Sequence, residues 1–247
     1  SGNHMRRLLQ RQLSTLFSLL LLSLFPAGCG PVEAVDRGRE LFSDARLSVS
    51  PSNVFACSTC HAIEPHGVTP PDGLHRPGYT MAGAAGRPSF WGGNLTTLFD
   101  AVNFCVTEFM RGDKLSESDT AGLALLAYLR SISPAPDPAQ PVTIVQNIDA
   151  TYMASLPAGD ARRGESAYRA ACGFCHGDIH TGSGRLGTYV SEIPDDTVAT
   201  FGSQARAVIA EKVRHGKFFG IGGNMPLYSR ESLADTELAD ILAYLLP

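Results

Sequence analysis

Apolar residues recur along this chain at helical rather than strand spacing. Leu98, Val102, Cys105 and Phe109 fall at i, i+4, i+7 and i+11, which predicts a helix with one apolar face and turns Cys105 inward. Leu123 to Leu129 (LALLAYL) and Leu238 to Leu245 (LADILAYL) follow polar starts and share a Leu-Ala-Tyr-Leu ending. Ser116 with Asp119 is placed to cap the first, and Asp235 lies in the first turn of the second. No segment alternates apolar and polar residues as a half-buried strand would. The pattern predicts an all-α fold with generous loops.

The same order of elements occurs twice. Arg37-Gly38 followed by Leu41-Phe42 corresponds to Arg163-Gly164 followed by Ala167-Tyr168. Each precedes a CxxCH motif, Cys57-Ser58-Thr59-Cys60-His61 and Cys172-Gly173-Phe174-Cys175-His176. Helix, CxxCH, irregular loop and closing helix, repeated, predict two tandem duplicated domains at residues 36–133 and 158–247. Between them, residues 134–157 carry Pro134, Pro136, Pro138 and Pro141. Proline at that spacing cannot continue a helix and favours extended backbone, which predicts a linker laid over the surface of both domains.

The N-terminus reads as an address. Ser1 to His4 look like a tag remnant ahead of Met5, and Arg6, Arg7 and Arg11 precede an uncharged apolar run from Leu13 to Phe25. Thirteen helical residues rise roughly 20 Å, too short for a hydrocarbon core of about 30 Å. A basic head, a short apolar body and the small residues before Cys29 are the parts of an export signal over residues 1–28. Ala27-Gly28-Cys29 resembles the bacterial lipobox, although Pro26 stands where Leu, Ile or Val is usual. That resemblance implies lipidation of Cys29 and attachment to a membrane. The chain has 20 basic and 24 acidic residues, and residues 1–28 carry three Arg and no acid, so the remainder is more acidic still. Nucleic-acid binding has no electrostatic support.

CxxCH is the attachment motif of c-type haem: the thiols form thioethers to the vinyl groups and the adjacent His is the proximal iron ligand. Cys57, Cys60 and His61 form one such set, and Cys172, Cys175 and His176 the other. A redox-active CxxC or half a zinc site would leave the two histidines unexplained. On these motifs the chain resembles the class I cytochrome c family over both halves of residues 36–247. The resemblance implies two covalently attached haem c groups and maturation on the periplasmic side of a bacterial membrane, which the export signal supports independently.

The sixth ligands distinguish the two sites. Gly222-Gly223-Asn224-Met225-Pro226 precedes the last helix and resembles the methionine ligand loop of class I cytochromes, with His215 as the competing donor. Aligning Ala101-Val102 with Ala207-Val208 shows that the first domain lacks this loop. Its ligand is then expected from Cys105 or from Met110, which lies as far after His61 as Met225 lies after His176. His66, His75 and Met81 are weaker alternatives. Val102-Asn103-Phe104-Cys105 with Gly112 and Leu115 resembles a stretch of the thiosulfate dehydrogenases, where the corresponding Cys is the distal haem ligand. Arg111 replaces that family's Asn. The expected function is a periplasmic dihaem cytochrome carrying electrons between redox proteins. The alternative is a thiosulfate dehydrogenase-like oxidoreductase at a Cys-ligated first haem, with Arg76, Arg87 and Arg111 available for the anion.

Overall fold

The computed structural model describes residues 31–135, 142–220 and 222–247. Cys29, the export signal and Pro136, Pro138 and Pro141 lie outside them. The fold is all-α. Among the described residues the strand-like pairing is one isolated bridge, Phe90 with Leu95.

In chain order the helices are α1 (Pro31–Phe42), α2 (Cys57–Cys60), α3 (Leu98–Glu108), α4 (Thr120–Ser131), α5 (Ala150–Ser155), α6 (Ala161–Tyr168), α7 (Phe174–His176), α8 (Asp195–Phe201), α9 (Ala205–His215) and α10 (Asp235–Leu245). Polar side chains start several of them. Thr97 accepts from Asp100 N, Asp149 from Tyr152 N, and Asp160 from Arg162 N and Arg163 N, each satisfying donors that the first turn leaves open. Asp119 precedes α4, but its carboxylate accepts from Ser116 N at 3.0 Å rather than from the helix. Asp235 opens α10 as expected.

Two helix pairs hold the chain together, α1 against α4 and α6 against α10. Gly38 lies so close to α4 that a Cβ there would stand 2.0 Å from Ala124 O, and a Cβ on Gly164 would stand 2.0 Å from Asp240 O. One turn on from each glycine an aromatic pair extends the contact, Phe42 with Tyr128 at 5.5 Å and Tyr168 with Tyr244 at 5.7 Å. Leu41, Phe42, Leu125, Tyr128 and Leu129 form the first core. The second, larger core gathers Tyr168, Ile209, Val213, Leu238, Ile241, Leu242 and Leu245. Fully burying such side chains contributes about 1.5–3 kcal/mol each before chain entropy is counted.

The expected linker is not wholly extended. After Pro141 no proline recurs until Pro157, and Asp149 caps α5 inside that interval. Val145 and Tyr152 are buried in the second core, so this stretch packs as part of the C-terminal half. Arg214, 1% exposed, fixes it there: Nε donates to Tyr152 Oη at 3.1 Å and Nη2 to Asp235 Oδ1 at 2.8 Å.

Gly164→Ala is expected to force α6 away from α10, because the added carbon meets backbone rather than a movable side chain. Overpacking of this kind costs about 1–3 kcal/mol. A lowered denaturant midpoint with an unchanged slope is the expected result; an unaltered midpoint would contradict the close approach.

Candidate haem sites

The first CxxCH opens onto a cavity of about 550 Å³, within the range of cofactor pockets. The α2 turn presents Cys57 and Cys60 to it, with Ala56 N donating to Thr59 Oγ1 at 3.0 Å to start the turn. His61 follows, and its Nδ1 donates to Tyr79 O at 2.7 Å. With the proton held at Nδ1, the lone pair is at Nε2, the arrangement of a metal-bound imidazole steadied by an outer partner. Burial also lowers the His61 pKa, favouring the neutral ring. Gly78 makes this packing feasible, since a Cβ there would fall 2.3 Å from His61 Cε1.

Predicted candidates converge on this cavity unequally. Cys105, Met110 and Met81 line it together with Cys57, Cys60 and His61. The α3 face expected from the sequence is the one that does so: Leu98, Val102, Cys105 and Phe109 all line the cavity, while Phe99, Asn103 and Val106 are buried on other sides of the helix. Met110 lies just beyond the end of α3 and is only 3% exposed. His66 and His75 do not line the cavity; His75 instead pairs with Glu237 at 3.2 Å. Burial pushes the Cys57 thiol up to about 11 and that of Cys105 up to about 12, so both are protonated until something displaces the proton.

Of the three arginines, Arg87 alone lines the cavity, donating to Thr80 O at 2.7 Å and Ala82 O at 3.2 Å. Arg76 donates to Ser58 O at 2.8 Å and pairs with Asp72 at 2.6 Å. Arg111 donates to Asn224 Oδ1 at 3.2 Å. Trp91, Phe90 and Phe109 complete an aromatic wall, with Trp91 and Phe109 stacked 6.0 Å apart.

The second CxxCH repeats the imidazole geometry. Cys172 lies in a π-helical turn, Arg169–Gly173, which feeds into α7. His176 Nδ1 donates to Ser191 O at 3.0 Å, and burial again lowers the pKa of the ring. Burial pushes both Cys172 and Cys175 up to about 12. Met225 packs against the core that contains Cys172. His215, its competitor, faces Glu211 Oε1 at 2.5 Å through Nδ1 and Val145 O at 2.5 Å through Nε2. Both of its ring nitrogens therefore have protein partners.

Sequence reasoning missed the carbonyls of Tyr79 and Ser191, because a carbonyl has no residue signature. The Pro77-Gly78-Tyr79 turn was the visible clue to the first. It also missed Pro226, Leu227 and Ser229, which line the first cavity from the C-terminal half. Among the described residues no group of three or more His, Cys, Asp or Glu side chains could hold a bare metal ion. The donors instead suit a planar group that brings its own equatorial nitrogens, reached by two thiols and one neutral imidazole.

Residues 159–245 match the family described as cytochrome C oxidase, cbb3-type, subunit III. Over 225 residues, 87% of this chain and 77% of the relative, the sequence is 28% identical to the thiosulfate dehydrogenase of Allochromatium vinosum. The solved as-isolated thiosulfate dehydrogenase (TsdBA) of Marichromatium purpuratum is 19% identical, with a TM-score of 0.42. That match covers 90% of this chain and 47% of the solved one, so the chain spans about half the length of that relative. Residues 159–245 thus match a cytochrome c family domain, a family that carries covalently bound haem c, and the chain is similar in sequence to a thiosulfate dehydrogenase.

Met225→Ala in the haem-loaded protein is expected to abolish the near-infrared band of thioether-bound ferric iron, whereas His215→Asn leaves it intact. Absence of the band from the unmodified protein, or its survival in Met225→Ala, would overturn the assignment.

Proposed function

We propose that this chain, with a cytochrome c family domain over residues 159–245, is a periplasmic dihaem cytochrome that carries electrons between redox partners. The observation that carries this reading is the repeated imidazole geometry. His61 and His176 each follow a CxxC pair, and each gives Nδ1–H to a backbone carbonyl, at 2.7 and 3.0 Å. Bound haem supplies a one-electron iron centre whose potential is set by its axial groups and surroundings. Cys57, Cys60 and His61 would hold one haem; Cys172, Cys175, His176 and Met225 the other. Cys105 and Met110 both line the first cavity. Cys105 is the better donor on chemical grounds, because binding iron releases its thiol proton and neutralises charge on the metal.

A second reading is favoured by one observation. Cys105 shares the cavity with His61, and the 28%-identical relative is a thiosulfate dehydrogenase. Oxidation of a small sulfur anion at a Cys105-ligated haem would need cationic groups converging on that cavity. Arg87 lines it, but Arg76 and Arg111 are directed to Asp72 and Asn224. Electron transfer without substrate chemistry therefore remains the main reading. Export and a lipid on Cys29 would keep the protein at the outer face of a bacterial inner membrane or at the outer membrane, among its redox partners.

Three measurements test this. The denatured protein should retain two haem masses per chain, and Cys57→Ala and Cys172→Ala should each disturb one of them. Low-temperature EPR should show a thiolate–His signal that disappears in Cys105→Ala; absence of that signal from the unmodified protein, with a thioether signal lost in Met110→Ala, would transfer the ligand role to Met110. Thiosulfate should reduce the haems slowly or not at all; rapid reduction that Cys105→Ala abolishes would establish the second reading instead.

Anchoring is checked separately. Native protein is expected to partition into detergent, and Cys29→Ser to yield a soluble or unprocessed form, since several acyl chains hold firmly where one is marginal. A mature N-terminus downstream of Cys29 would remove the anchor.

A further inference from the structure

The two halves meet where the C-terminal end of α3 faces the chain between α9 and α10. Lys217 Nζ donates to Glu108 O at 2.8 Å and to Glu108 Oε2 at 2.5 Å, so a cation from the second half satisfies a carbonyl at the negative end of α3. Asn224 Nδ2 donates to Phe109 O at 3.0 Å, and Asn224 Oδ1 accepts from Arg111 Nη2 at 3.2 Å. Phe218 meets the Phe109 ring edge-on at 6.3 Å, and Lys217 lies over both rings.

The sequence positions give these contacts their meaning. On one side they hold Glu108, Phe109 and Arg111, which surround Met110 and follow Cys105 by one turn. On the other they end at Asn224, one peptide bond from Met225. Arg111 adopts a left-handed φ of 54°, a conformation that a non-glycine residue holds only when its surroundings fix it. Asn is suited to the role because its short side chain carries both a donor and an acceptor; Asn224 uses both on the α3 terminus.

We propose that Asn224 and Lys217 are positioning residues that couple the two iron sites, so that a change of ligand at the first shifts the potential of the second. This rests on the reading of Cys105 or Met110 as the first distal ligand and Met225 as the second. A movement of α3 on ligand change displaces Phe109 O and Arg111, and Asn224 passes the displacement to Met225 through one peptide unit. The coupling is reciprocal, as any linkage between two equilibria must be. Asn224→Ala removes both bonds; Asn224→Asp keeps an acceptor for Arg111 and loses the donor to Phe109 O.

The test is a double-mutant cycle on the haem-loaded full chain, read by potentiometric titration of the second haem. Cys105→Ala, or the volume-conserving Met110→Leu where the first variant does not accumulate, perturbs the first site. In the native background this perturbation is expected to move the second equilibrium about tenfold, or about 59 mV for one electron. In Asn224→Ala most of that movement should vanish, and in Asn224→Asp part of it. Hydrogen exchange should meanwhile rise together in residues 108–112 and 222–225. Equal shifts in both backgrounds, or no shift in either, would overturn the coupling. Haem counting by mass and the thioether band of the unmodified chain report separately on the underlying reading. Were that band absent, unchanged exchange in Asn224→Ala would still sink the clamp.

Discussion

At Gly38 and Gly164 the backbone of an early helix rests against a carbonyl of a late one, at a distance that no Cβ could share. The rest of each half depends on that contact. It brings α1 onto α4 and α6 onto α10 closely enough for the Phe42–Tyr128 and Tyr168–Tyr244 pairs to meet. The intervening chain must then travel out from the helix pair and back again. In both halves this excursion holds the CxxCH turn, and the carbonyl that orients its histidine comes from loop backbone rather than from a helix. Small domains with long loops have little core to stabilise them. A group bound across such a loop region, attached through two thiols and one imidazole, stabilises the folded chain by the linkage that any native-state ligand provides.

Loops of this kind still need their polar groups satisfied, and the second half shows how. The Arg214 guanidinium is buried among carbonyls of Tyr228, Ser229 and Leu233 at 2.8–3.1 Å, with Asp235 and Tyr152 completing its partners. An unpaired buried cation would be prohibitively costly, but each of the three guanidinium nitrogens here meets an acceptor. The segment just after Met225 is thereby tied to α9 and to the start of α10. A methionine that must hold a fixed place gains from such a frame, because the thioether itself has flexible torsions and weak polar contacts.

Much of this was legible in the residues. The face of α3 that carries Cys105 followed from the spacing of Leu98, Val102 and Phe109, since apolar periodicity and helix geometry report the same thing. The closing helices and the all-α class were legible for the same reason. What escaped reading depends on backbone or on distant chain. The proline run suggested an extended linker, yet the prolines end at Pro141, and Asp149 then starts α5, which packs into the second core. Asp119 looked like a helix cap, but its carboxylate turned to the Ser116 amide, a local competitor of equal strength. The partners of His215, Glu211 and the Val145 carbonyl, were not legible, since the latter lies seventy residues away. The three arginines looked equivalent in sequence, and only their partners separate Arg87 from Arg76 and Arg111.

The connection that carries Met225 in the second half is longer than the one that follows α3 in the first. Residues 216–234 connect α9 to α10, while the shorter stretch 109–119 connects α3 to α4. The first cavity lies beside Cys105 and Met110. Pro226, Leu227 and Ser229 line that cavity from the other half, and Lys217 and Asn224 fasten the same stretch to the end of α3. One loop thus borders two sites: its Met225 packs on the second core, and the three lining residues after it wall the first cavity. The consequence is that the first half does not enclose its cavity alone, since that cavity takes part of its wall from the second half.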